Sequence, residues 1–109
     1  MTKIIIFKDA ENICGFQIKG HSGYAEEGCD IVCSGISTAA QMTLIGLEEI
    51  LNLHVEKQIK DGFMFIHIEG VDAQNDAVQT LLCAMEKTLM EIAKEYAKFV
   101  KLEVKKDVY

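Results

Sequence analysis

Near the start of the chain, apolar side chains come in short β-branched runs rather than at helical spacing. Lys3 to Lys8 is one run and Ile13 to Lys19 another, with Asp9-Ala10-Glu11-Asn12 between them as a hairpin turn. The stretch from Gly20 to Asp30, GHSGYAEEGCD, has no usable periodicity and reads as a loop. At Asp30 the period changes. Val32, Ile36, Ala39, Ala40, Thr43, Leu47, Ile50 and Leu51 recur three and four residues apart, which predicts a helix of about twenty residues capped by Asp30. Leu53 to Lys60 and Phe63 to Glu69 are strand-like, and Asp61-Gly62 between them is a strong hairpin signal. After Gly70 the spacing of Val78, Leu81, Leu82, Met85, Leu89, Ile92, Ala93 and Tyr96 predicts a second amphipathic helix, and Phe99 to Val104 a last strand.

The order ββαββαβ, with hairpins at both strand pairs, predicts an α+β fold: a two-layer sandwich of a mostly antiparallel sheet with two helices on one face. The strands carry apolar residues on both faces, Ile4 and Ile6 alternating with Ile5 and Phe7. A sheet face without helices needs another cover, so a homodimer using part of that surface is expected.

Length and composition narrow the picture. At 109 residues without proline, one domain spanning 1–109 is expected. The uninterrupted apolar runs are far shorter than the roughly 20 residues that cross a bilayer, and Met1-Thr2-Lys3 leads straight into a strand-like run rather than a signal sequence. A cytoplasmic protein without membrane contact is the expectation. A formal charge of −6 argues against binding nucleic acid directly through a basic face. Cys14, Cys29, Cys33 and Cys83 form no CxxC pair and are read as free thiols, with Cys14 and Cys83 structural. His54 and His67 fall in predicted strands and are read as structural too.

The chemistry-bearing segment runs from Gly20-His21 to Cys33. With Asp30 as N-cap, Cys33 is the third helical residue, where unpaired N–H groups and the positive end of the helix favour a thiolate. The Asp30 carboxylate opposes that effect. A glycine-bearing loop lets His21 fold back toward the helix start, so a Cys–His dyad is one reading. Two others stand beside it: packing and surface roles for both residues, and an open metal site of His21, Cys29 and Cys33, whose spacing matches no common zinc motif.

Gly20-His21, the loop through Gly28, Gly28-Cys29-Asp30-Ile31-Val32-Cys33, Ser37, Gly46-Leu47-Glu48-Glu49 and Asp61-Gly62 together resemble the ribosomal-processing cysteine protease family, Prp, over nearly the whole chain. That resemblance implies a cysteine endopeptidase, needing no cofactor or metal, that removes a short apolar, Phe-containing N-terminal extension from a large-subunit ribosomal protein, number twenty-seven. It implies Cys33 as nucleophile, His21 as base and then acid, and Asp30 and Ser37 as accessory residues. The Cys33 N–H is a candidate oxyanion donor. The loop bearing Gly20, Ser22, Gly23, Tyr24 and Gly28 would close over the peptide, and Glu26 and Glu27 could meet a basic partner. The sequence departs from the family pattern at Cys29, where a polar residue is expected, and at Ser34-Gly35, where alanines are usual. Cys29 is four residues from Cys33, which suggests a reversible disulfide. The alternatives are a non-catalytic ribosome-associated binding protein that keeps the fold and a thiol redox or metal module.

Overall fold

The computed structural model describes residues 1–21, 23, 25–26 and 30–107. The chain is α+β. In order, it forms β1 (Thr2–Asp9), β2 (Asn12–Lys19), α1 (Ile31–Ile45) continuing into a π-helical segment (Gly46–Ile50), β3 (Glu56–Lys60), β4 (Phe63–His67), α2 (Gly70–Ala73), α3 (Asp76–Glu95) and β5 (Val100–Lys106). The expected ββαββαβ order holds. α2 is an addition of a single turn, too short to leave a period in the sequence. β3 begins later than its apolar run suggested, so His54 lies outside any strand and is exposed.

The five strands form one sheet in the order β3-β4-β2-β1-β5. β1–β2, β2–β4 and β4–β3 pair antiparallel, whereas β5 pairs parallel to β1, which makes the sheet mixed. The cause is the connection. A helix the length of α3 carries the chain back along the sheet, so β5 enters beside β1 in the same direction.

Alternation divides most of the sheet residues, with a consecutively buried stretch from Ile13 to Phe16 beside the β1–β2 bulge. Ile4, Ile6, Phe16 and Ile66 are fully buried on one side, where they meet Val32, Ile36, Ala40 and Leu47 of the first helix and Val78, Leu82, Met85 and Leu89 of α3. Each of the larger side chains contributes about 1.5–3 kcal/mol by leaving water. α1 approaches α3 closely at Gly46, where a Cβ would collide with Leu81. At the β1–β2 bulge, Gln79 of α3 grips β2: its Oε1 accepts from Ile13 N (2.9 Å), while its Nε2 donates to Ile13 O (2.8 Å) and Ala73 O (2.8 Å). Cys14 is buried there, its Sγ 3.5 Å from Phe7 O. Burial first, then the nearby Asp9 charge, pushes its thiol above the ordinary 9.0. Cys83 departs from expectation: it is exposed, one position off the buried stripe of Leu82, Met85 and Leu89.

The helical run Ile31–Ile50 is long and apolar enough to cross a bilayer by length and composition alone. In the fold, its Val32, Ile36, Ala40, Thr43 and Leu47 make one buried stripe.

On the sheet's other side, Phe7 and Phe65 meet edge to face with centroids 6.1 Å apart. Beside them the register places Lys101, Lys3 and Lys19 opposite one another on β5, β1 and β2, followed by Phe63 on β4 and Lys60 on β3. All four lysines are exposed.

Candidate active site

The start of α1 is built by Asp30. Its extended backbone (φ −80°, ψ 104°) precedes the helix, and its Oδ1 accepts from Val32 N (2.9 Å) and Cys33 N (3.0 Å). Asp30 is only 4% exposed, so this carboxylate leaves water to satisfy helix donors. Cys33 is the third helical residue, half-buried, with its thiol unbridged. Its N–H is held by the cap, so it is not the open oxyanion donor that the sequence suggested.

Across from the helix start, β2 ends at Lys19, and Gly20 (φ +93°) turns the chain into His21. That backbone conformation suits glycine, and a Cβ there would come within 2.7 Å of Met1 O. Gly20 N donates to Gly62 O (2.8 Å), which ties the end of β2 to the β3–β4 turn. Gly62 (φ +69°) presents bare backbone to His21: a Cβ on it would lie 3.2 Å from His21 Nε2. The Asp61-Gly62 hairpin signal therefore also marks the seat of the imidazole.

His21 and Cys33 line one groove of about 310 Å³ between α1 and this end of the sheet. Ser37, one turn beyond Cys33, lines it as well and accepts from Gln41 Nε2 (3.2 Å). Gly20 is also in the lining, whereas Asp30 acts on the groove through the helix cap rather than from its wall. Gly23 is described, with φ +74° and nothing within 4 Å of a Cβ, but is not in the lining. Ser22, Tyr24, Glu27, Gly28 and Cys29 lie outside the described residues, and with them the parts of the loop, metal and disulfide readings that need them. Among the described residues, no group of three His, Cys, Asp or Glu is placed to hold a metal ion.

Sequence reasoning missed the groove's other walls. Gln41 was legible, being four residues beyond Ser37 and eight beyond Cys33 on one helical face. Ile18, Ile59 and Met64 were not, because their contribution depends on strand register. Thr2 also lines the groove, 2% exposed, with its Oγ1 lacking a hydrogen-bond partner among the described residues.

A thiol at a helix start and an imidazole share a groove with the apolar side chains of Ile18, Ile59 and Met64, an arrangement compatible with thiol hydrolase chemistry. Comparison with known proteins agrees. The family model described as cysteine protease Prp matches residues 1–101, and the chain belongs to that family. It is 28% identical over 105 residues to the ribosomal processing cysteine protease Prp of Staphylococcus aureus, covering 96% of this chain and 99% of the relative. It is 30% identical over 95 residues to the protein of that name in Bacillus subtilis, covering 79% and 80%. A crystal structure of the S. aureus ribosomal processing protease Prp with a covalently linked product peptide superposes with a TM-score of 0.88, at 26% identity over 96% of this chain and 100% of that one. The chain is thus a cysteine protease, a hydrolase.

Proposed function

We propose that this protease removes the short N-terminal extension of a large-subunit ribosomal protein, number twenty-seven, during ribosome assembly, with Cys33 and His21 as a catalytic dyad. The observation that carries the reading is that both side chains line the same peptide-sized groove. The covalently linked product peptide of the S. aureus relative supports it. The Cys33 thiolate attacks the scissile carbonyl. His21, having taken the thiol proton, returns it to the leaving amine, and water then releases the acyl group from sulfur. Asp30 holds the helix start that presents the sulfur, and Ser37 with Gln41 flanks it. The apolar wall of Ile18, Ile59 and Met64 accepts an apolar residue of the extension.

The same proposal includes a cytoplasmic location, a two-layer arrangement with both helices over the Ile4–Ile6 side, and a homodimer. The most exposed apolar cluster, Met42, Ile45 and Ile50, lies on the helices, which favours a dimer contact there over the lysine-fringed sheet face.

The test is cleavage of a peptide copied from the extension. Cys33→Ala is expected to lower kcat on the order of 10⁴-fold or more, and His21→Ala about 10²–10⁴-fold, with circular dichroism unchanged. Cleavage that survives Cys33→Ala would sink the dyad. Sedimentation showing monomers at all concentrations would remove the dimer.

A further inference from the structure

The formal charge of −6 describes the whole chain, but the charges are not evenly spread. On the sheet side facing away from the buried core, five lysines (Lys3, Lys19, Lys60, Lys101 and Lys105) stand against two glutamates, Glu56 and Glu103. Four of the five share one row across the sheet with Phe63. Lys101, Lys3 and Lys19 occupy consecutive strands, about 4.8 Å apart. Like charges directly opposite one another destabilise a sheet. Among the described residues, none of these three has a carboxylate within salt-bridge distance. A row of cations that the described carboxylates leave uncompensated invites an anion from outside.

We infer that this sheet face docks single-stranded RNA, with the lysine row tracking the phosphate backbone. Two features favour RNA over an acidic polypeptide. The cations repeat at regular strand spacing, and half-buried aromatic rings lie among them: Phe63 in the row itself and Phe65 in the next. Sheets that bind single strands pair cationic side chains with aromatic ones in this way. Lys60 Nζ lies 5.6 Å from the Phe63 ring centroid, so cation and ring already meet within the row. The choice of RNA also rests on the ribosomal reading above. The row lies at the end of the sheet that carries Gly20, His21 and the β3–β4 turn, so RNA held there would bring the groove to a ribosomal substrate still on its particle.

The experiment measures fluorescence anisotropy of a labelled oligouridine of about twenty nucleotides, titrated with the full chain across a salt series. Binding is expected to weaken with salt at a slope of about −3 in log K against log[salt], the release from four phosphate contacts on a single strand. Lys3→Glu with Lys101→Glu, which leave the groove untouched, should weaken binding roughly tenfold or more while peptide cleavage is unchanged. Lys3→Gln with Lys101→Gln provides a milder pair if the charge reversal perturbs the fold. Absence of binding at low salt, binding by both pairs of variants as tight as that of the unaltered chain, or equal competition by polyglutamate of the same charge would each overturn the proposal. So would salt-sensitive self-association in sedimentation that accounts for the signal. Because peptide cleavage is read separately, failure of RNA binding and failure of the protease reading are distinguishable.

Discussion

The two long helices begin in the same way and serve different ends. Asp30 before α1 and Asn75 before α3 each place one side-chain oxygen on two backbone donors, at 2.9 and 3.0 Å for Asp30 and 2.8 and 3.2 Å for Asn75. In both, the second donor belongs to the third helical residue. That residue is Val78 in α3, 1% exposed in the core, and Cys33 in α1, half-buried and facing the groove. Asn75 is an amide and exposed, whereas Asp30 is a carboxyl group and buried. Capping alone therefore makes no active site. What distinguishes the start of α1 is the residue at the third position and what the sheet places across from it.

The comparison can be broken at several points. The largest stability effect should come from Val78→Ala, about 2 kcal/mol lost from a packed site in denaturant titrations, with kcat of the folded enzyme unchanged. Cys33→Ala should show the reverse, near-native stability without cleavage. Next come the caps. Asp30→Ala and Asn75→Ala should each cost about 1 kcal/mol, but under the proposed dyad only Asp30→Ala should also slow peptide cleavage, because only that cap stands beside the proposed nucleophile. Equal kinetics in the two variants would remove the distinction. Gly62→Ala should cost about 1 kcal/mol through its positive φ and slow cleavage by crowding His21, a coupling that no change near Asn75 can reproduce. Smallest is the charge exchange. Asn75→Asp should add about 0.3–1 kcal/mol at low salt. Asp30→Asn keeps a capping oxygen and should cost less stability than Asp30→Ala in the same denaturant titrations.

Much of this was legible in the sequence, and the exceptions share a cause. The helix at Asp30, the third-residue position of Cys33 and the turn at Asp61-Gly62 all rest on contacts a few residues apart. The parallel partner of β1, the exposure of Cys83 and the capture of the Cys33 N–H were not recovered. The first depends on how a helix returns across the sheet. The second turned on one position of helical phase. For the third, both an engaged and an open N–H are compatible with an Asp at the N-cap. The lysine row was hidden for a related reason: net charge sums over the chain, whereas a docking face is created by register.

The parallel pairing of β5 has a consequence for how the enzyme comes into being. Thr2, in the groove lining, donates its N–H to Phe99 O (2.9 Å), and β1 runs beside β5 from Thr2↔Val100 onward. A chain emerging from synthesis carries its thiol and imidazole early, but the strand that brings Thr2 to the groove is paired with β5 through contacts of the longest sequence separation, which close slowly. Competence to cut should therefore switch on late and all at once, when the last strand docks.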